Sequence, residues 1–133
     1  MIIDSSALVA ILRAEPDAPT CAAAIEAASP RRMSAVSYLE AAIVIDGPRD
    51  PVASRRFDQF LERASVTIEP VTAEQARIAR QAYRDFGKGS GHPAKLNFGD
   101  CFSYALARAT GEPLLFKGED FRHTDIEAAL PLR

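Results

Sequence analysis

The chain has 133 residues, enough for one compact domain with a real core and too few for a second. Its 47% apolar and 26% charged content are those of an ordinary water-facing globular protein. The net charge of −2 lacks the basic balance of most nucleic-acid binders, so any handling of a polyanion needs a local cationic rim. Two cysteines, Cys21 and Cys101, and two isolated histidines, His92 and His123, exclude a disulfide framework and the usual zinc sites.

Met1-Ile2-Ile3-Asp4 has no basic leader, and no apolar run approaches the roughly eighteen residues of a membrane span. The expectation is a cytoplasmic protein forming a single domain over residues 1–133.

Ile2-Ile3 reads as a short buried strand ending at Asp4. Ser5 or Ser6 is placed to cap a helix from Ala7 to Arg13, which stops ahead of Pro16. Asp17 opens an alanine-rich helix to about Ala28, and Arg31 to Ser34 reads as a second strand. A helix from about Ala35 to Ile45 is closed by Asp46-Gly47-Pro48. From Pro51 to Ala64, the residues Ala53, Phe57, Phe60, Leu61 and Ala64 share one helical face.

Val66 to Val71 alternates like a strand, and Pro70 makes it an edge strand. Thr72 and Gln75 form a capping-box signature for a helix whose apolar face holds Ala79, Ala82, Tyr83 and Phe86. Gly87 to Lys95 is a glycine-rich basic loop, and Asn97 to Thr110 a helix ended by Gly111. Pro113 to Phe116 is another short strand, followed by the turn Lys117-Gly118-Glu119-Asp120, and residues 124–133 fit either a strand or a short helix. Short apolar strands alternating with helices predict a three-layer α/β/α sandwich around a parallel sheet of four or five strands.

In such a sheet, ligands bind beyond the carboxyl ends of the strands. Asp4 follows the first strand directly and Asp120 follows a late one, so both reach the same rim. Each taken alone is also an ordinary cap or turn former. Val36, Leu39 and Ile43 surround Glu40 at helical spacing, which puts a carboxylate on an apolar face where it is costly to leave unpaired. The rival reading is a capping box from Ser37 to Glu40, and it fails if Ser34 is the cap. Asp100 suits the first turn of a helix capped by Asn97, but the preceding Gly99 leaves room for something to approach the backbone.

Four clustered carboxylates repel, by on the order of 4 kcal/mol per close pair at an effective dielectric near 20. Such a cluster calls for a divalent cation, and hard oxygen donors without His or Cys select Mg²⁺, with Mn²⁺ as the alternative. Carboxylate-held metals of this kind serve phosphoryl chemistry. The loop Gly87-Lys88-Gly89-Ser90-Gly91 is no phosphate-binding motif, because Ala82 stands where its first glycine belongs and a helix precedes it. Its Lys88, His92 and Lys95, with Arg84 and Lys117, are instead candidates for a basic rim.

Four blocks of sequence resemble one family: Met1-Ile2-Ile3-Asp4-Ser5-Ser6-Ala7-Leu8, Ser37-Tyr38-Leu39-Glu40, Asn97-Phe98-Gly99-Asp100-Cys101-Phe102-Ser103-Tyr104, and Leu114-Leu115-Phe116-Lys117-Gly118-Glu119-Asp120-Phe121. In order and spacing they are similar to the PIN-domain ribonucleases, and more narrowly to the VapC toxins of bacterial VapBC toxin–antitoxin pairs. The resemblance implies metal-dependent endonucleolytic cleavage of RNA, commonly tRNA or ribosomal RNA. It implies Asp4, Glu40, Asp100 and Asp120 as catalytic acids, with Asp4 and Asp100 as the main metal ligands. Ser6 matches the hydroxyl that supports the acidic site, and with Lys88 and Lys95 it completes the substrate-binding set. A VapB-like antitoxin and a toxin homodimer are the implied partners. One departure is Gly118, where the family often has threonine or serine, which leaves Glu119 as a possible substitute for Asp120.

Rival classes fit less well. A receiver-type domain needs paired acids after the first strand, and a haloacid-dehalogenase-type phosphatase needs Asp-x-Asp, where this chain has Ser5 and Ser6. A non-catalytic binding module would keep a repulsive acidic cluster for no gain. A PIN nuclease of RNA processing, acting without an antitoxin, remains the alternative.

Overall fold

The computed structural model describes residues 1–131. Strands β1 (Ile2–Ile3), β2 (Arg32–Ser34), β3 (Thr67–Glu69) and β4 (Leu114–Leu115) form one sheet in the order β3-β2-β1-β4. Every neighbouring pair is parallel. Six helices cover it: α1 (Ser5–Leu12), α2 (Ala18–Ala27), α3 (Ala35–Asp46), α4 (Pro51–Arg63), α5 (Ala73–Phe86) and α6 (Phe98–Thr110), and a 3₁₀ turn spans Asp120–His123.

Strands β1, β2 and β4 survive at this length because both of their faces are largely buried, whereas β3 at the sheet edge is mostly exposed. Ile3, Met33 and Leu115 pack into a core with Leu8, Ile25, Ala41, Ile45 and Phe57 from α1 to α4. Their neighbours Ile2 and Leu114 turn to the other side, against Ala79, Ala82, Tyr104, Ala105 and Leu106 of α5 and α6. Adjacent residues thus serve opposite layers, each aliphatic side chain contributing about 1.5–3 kcal/mol before entropy is counted. The three-layer sandwich follows directly.

Caps fix where the helices begin. Asp4, not Ser5 or Ser6, caps α1: the chain leaves β1 still extended, and the Asp4 side chain accepts from the Ser6 N–H. Ser34 caps α3 through the Val36 N–H, which rules out a start at Ser37 and puts Glu40 in the second turn. Asn97 and Asp100 form a reciprocal capping box on α6, and Gly111 ends that helix at φ +72°.

Three expectations need correcting. Leu39 (57% exposed) and Ile43 (62%) lie on the outside of α3. The buried stripe of that helix is Ser37, Ala41 and Ile45, because small residues let α3 approach its neighbours closely. Tyr83 is half-exposed and is not part of the inner face of α5. Residues 124–131 form neither strand nor helix; they run along β4 with a single bridge from Leu114 to Ala128, and residues 132–133 lie outside the described part.

From β1 the chain winds through α1 and α2 to β2 on one side, whereas β4 arrives from α5 and α6 on the other. The crevice beyond the carboxyl ends of β1 and β4 is therefore the topological switch point of the sheet.

Candidate active site

That crevice is a pocket of about 500 Å³. Asp4 enters it from the end of β1, Glu40 from the second turn of α3, Asp100 from the first turn of α6 and Asp120 from the 3₁₀ turn after β4. Val9 and Val44 supply apolar wall, and Arg13 and Lys117 are the cations among its lining residues.

Asp4 is buried (2% exposed) and held by three donors. Its Oδ2 accepts from the Ser6 N–H at 3.0 Å and the Ser6 hydroxyl at 2.6 Å. Its Oδ1 accepts from the Ser103 hydroxyl at 2.5 Å. Ser103 has only one proton to give, so the Ser37 hydroxyl, 2.8 Å from Ser103, donates to it in turn. Ser37, Ser103 and Asp4 thus form a buried relay that fixes the carboxylate. Both lone-pair sites of Oδ2 are used and one on Oδ1 is left, which makes Oδ1 the atom available to a cation.

Ser6 has a second task. Its Oγ accepts the Lys117 N–H at 3.0 Å, tying α1 to the loop after β4. The hydroxyl is therefore engaged in support of Asp4 and of that loop.

Glu40 lies against the start of α6. A Cβ built on Gly99 would come within 2.7 Å of the Glu40 carboxyl carbon, so only glycine leaves room for the acid there. The group that approaches the Gly99 backbone is this carboxylate, at the positive end of the α6 dipole. Ser5 donates to its Oε1 at 2.5 Å.

Asp100 Oδ2 accepts the Asn97 N–H at 3.1 Å in the capping box, so Oδ1 is its remaining oxygen. Burial pushes its pKa up to about 7; the Asn97 N–H opposes that shift, and the charges of Asp4, Asp120 and Glu40 add to it. Asp100 thus senses the charges of the other three acids. Among the described residues no three acids are already gathered as a closed ligand set. A hard cation that keeps several waters and takes one or two carboxylates suits that arrangement, and Asp4 Oδ1 and Asp100 Oδ1 are the oxygens that could supply them.

Of the two candidates for the last acid, Asp120 lines the pocket, while Glu119 points to Arg122 at 3.5 Å. Gly118, with φ +101°, makes the turn between β4 and Asp120, a conformation that threonine or serine adopts poorly.

The basic rim is only partly as expected. Lys117 pairs with Glu15 at 3.0 Å. His92 accepts the Ala94 N–H on Nδ1 and sets its ring edge against Phe86, a structural role. Lys95 is exposed, at φ +50°, and lines neither the acidic pocket nor the groove beside it. Lys88 and Arg84 border that groove, together with Arg80. Sequence reasoning missed Ser5, Ser37, Ser103, Arg13 and Glu15. Only Ser5, next to Asp4, carried a local signal. Cys21 and Cys101 are free and buried.

The PIN domain family matches residues 1–127. A VapC ribonuclease of Mycobacterium bovis is 59% identical over 133 residues, covering 100% of both chains. Ribonuclease VapC30 of Mycobacterium tuberculosis is 56% identical over 132 residues, covering 98% of this chain and 100% of the relative. Among solved structures, Mycobacterium tuberculosis VapC20, a sarcin–ricin-loop-cleaving toxin, superimposes with a TM-score of 0.72 at 19% identity, over 94% of this chain and 95% of that one. A toxin–antitoxin complex from Klebsiella pneumoniae gives 0.67 at 19% identity, over 90% and 88%.

Proposed function

The chain belongs to the PIN-domain family and is a VapC-type ribonuclease, and on that footing we propose that it is the toxin of a type II toxin–antitoxin pair, a Mg²⁺-dependent endoribonuclease. The observation that carries the reading is the convergence of four acids from four segments on one pocket, with Asp100 held near pKa 7 by burial and by the other three. Residues 1–133 are read as one such domain.

Asp4 Oδ1 and Asp100 Oδ1 would hold the cation. When bound, Mg²⁺ supplies an acidified water and neutralises charge developing on the phosphate oxygens. The chain's own groups do the rest. Ser103 and Ser6 keep Asp4 oriented by donating to both of its oxygens. Glu40, steadied by Ser5 and the α6 N-terminus, is the base that takes the proton of the attacking water. Asp120 closes the open side of the pocket and completes the acidic set. Arg13, which makes no ion pair among the described residues, is a cation for the scissile phosphate, and Lys88 and Lys95 attract the strand beyond it.

The substrate class proposed is tRNA or ribosomal RNA. A VapB-like antitoxin blocks the pocket, and the toxin forms a homodimer, for which the exposed Leu39 and Ile43 of α3 offer apolar surface. No helix among the described residues is long and apolar enough to cross a membrane, and action in the cytoplasm is proposed.

Asp4→Asn and Asp100→Asn test the assignment. Each should abolish Mg²⁺-dependent cleavage of purified RNA and relieve growth inhibition, with the circular dichroism spectrum unchanged. A folded variant that cuts at the wild-type rate would remove that residue from the site.

A further inference from the structure

Between α5 and α6, beside the acidic pocket, runs an open groove of about 660 Å³. Its aromatic residues are Tyr83 (50% exposed), Phe98 (74% exposed) and Phe102, and its cations are Arg80, Arg84 and Lys88. Arg80 and Arg84 stand one helical turn apart on α5, so they share a face, and none of the three cations makes an ion pair among the described residues. The Tyr83 hydroxyl donates to the Lys88 carbonyl at 3.1 Å, which holds its ring at the groove wall. Phe98 and Phe102 meet edge-on, ring centroids 5.0 Å apart and planes 67° apart, and Phe98 stays largely exposed.

Asn97 lines both the groove and the acidic pocket, so the two are continuous. Phe98 follows Asn97 and precedes Asp100 by two positions. The acidic pocket repels a polyanion, so phosphates flanking the cut must be neutralised outside it, and the groove offers unpaired cations beside exposed aromatic rings. Cations that track a backbone, next to π-faces that accept any base, are the chemistry of single-stranded nucleic-acid binding.

We propose that this groove is the subsite for the nucleotides adjoining the scissile phosphate: an unpaired base stacks on Phe98, and Arg80, Arg84 and Lys88 hold the neighbouring phosphates. The proposal rests on the ribonuclease reading and adds a requirement to it. The strand must be unpaired next to the cut, because a base within a duplex cannot reach the ring.

The test uses the full-length protein carrying Asp100→Asn to stop cleavage, and single-stranded RNA oligonucleotides with 2-aminopurine beside the cut site. Phe98→Ala and Phe98→Leu should each weaken binding by roughly five- to a hundredfold and abolish the stacking-induced fluorescence change, while Phe98→Tyr retains both. Arg80→Gln with Arg84→Gln should lower the slope of affinity against salt. Phe98 is exposed, so these variants keep the wild-type melting temperature. If Phe98→Leu binds RNA like wild type, the stacking role is wrong. If the Phe98 variants instead disrupt self-association or antitoxin binding and leave RNA affinity unchanged, the groove is a protein-docking face and the proposal is overturned. Cleavage by the parent enzyme, with Asp100 intact, separates the two readings. A parent that cuts RNA alongside an unaffected Phe98→Leu sinks only the groove, whereas a parent that cuts no RNA with Mg²⁺ sinks the ribonuclease reading and the groove with it.

Discussion

Gly99→Ala separates the fold from the site with one methyl group. The backbone accepts alanine, because Gly99 lies in the first turn of α6 and is absent from the positive-φ residues. Alanine is favoured over glycine in a helix by about 0.5–1 kcal/mol, less so in a first turn. The new Cβ would lie 2.7 Å from the Glu40 carboxyl carbon and 2.9 Å from its Oε1, so that carboxylate has to move. It is the far end of a flexible side chain and can swing aside at the cost of its bond from Ser5. A hydrogen bond to a charged group is worth about 1.5–3 kcal/mol, and half-burial puts this one at the low end. Gain and loss nearly cancel, so the melting temperature should fall by no more than about 5 °C. Cleavage should fall by on the order of a hundredfold or more, since the displaced group is the proposed base. Calorimetry and single-turnover cleavage are to be run on wild type, Gly99→Ala, Glu40→Ala and the double variant. In the Glu40→Ala background the contact with the Glu40 carboxylate is gone, so the effect of Gly99→Ala on rate should vanish. A Gly99→Ala enzyme that cuts at the wild-type rate, or a penalty that persists without Glu40, refutes the reasoning.

The raised pKa of Asp100, about 7, predicts how the metal-free protein responds to pH. Between about pH 4 and 7 the unfolded chain loses this proton while the native state keeps it, so stability falls as pH rises through that window. Thermal melts in EDTA should show a shallower decline for Asp100→Asn, which at pH 8 should be at least as stable as wild type; an identical pH profile would contradict this. The proposed binding of Mg²⁺ to the native pocket and not to the unfolded chain predicts that added Mg²⁺ raises the wild-type melting temperature with concentration and that of Asp100→Asn by less. Ser103→Ala breaks the buried relay, leaving Asp4 Oδ1 and the Ser37 hydroxyl each short of a partner. It should cost about 1–3 kcal/mol in urea unfolding and slow cleavage, and adding Ser37→Ala should cost less than its separate effect.

Asp4, Asp100 and Asp120 were legible in the sequence because chain position alone brings them to the rim: after a strand, in a first helical turn, and after the last strand. Glu40 stands out in the sequence for a reason the structure reverses. The apolar residues around it, Leu39 and Ile43, face outward, and the true inner stripe is made of small residues that carry little hydropathy signal. Ser103 was invisible for a related reason. It lies inside the run Cys101-Phe102-Ser103-Tyr104-Ala105, where a hydroxyl reads as neutral filler, and its partner Asp4 is 99 positions away. The end of the chain resisted assignment because its bonds to Leu114 come from residues 127 and 129, two contacts rather than a repeating ladder. The basic loop reads as a loop in the sequence, yet α5 supplies more of the groove's cations than the loop does.

The seating of β4 beside β1 also governs when the protein can act. Asp4 donates its N–H to Leu115, Ser6 accepts from Lys117, and Asp120 follows, so the earliest and latest segments of the described chain meet in one pocket. A ribosome that has released only the first hundred residues has made Asp4, Glu40 and Asp100, but neither the strand that anchors the pocket nor its last acid. A chain cut short at that point therefore lacks the assembled pocket, whatever acids it already carries.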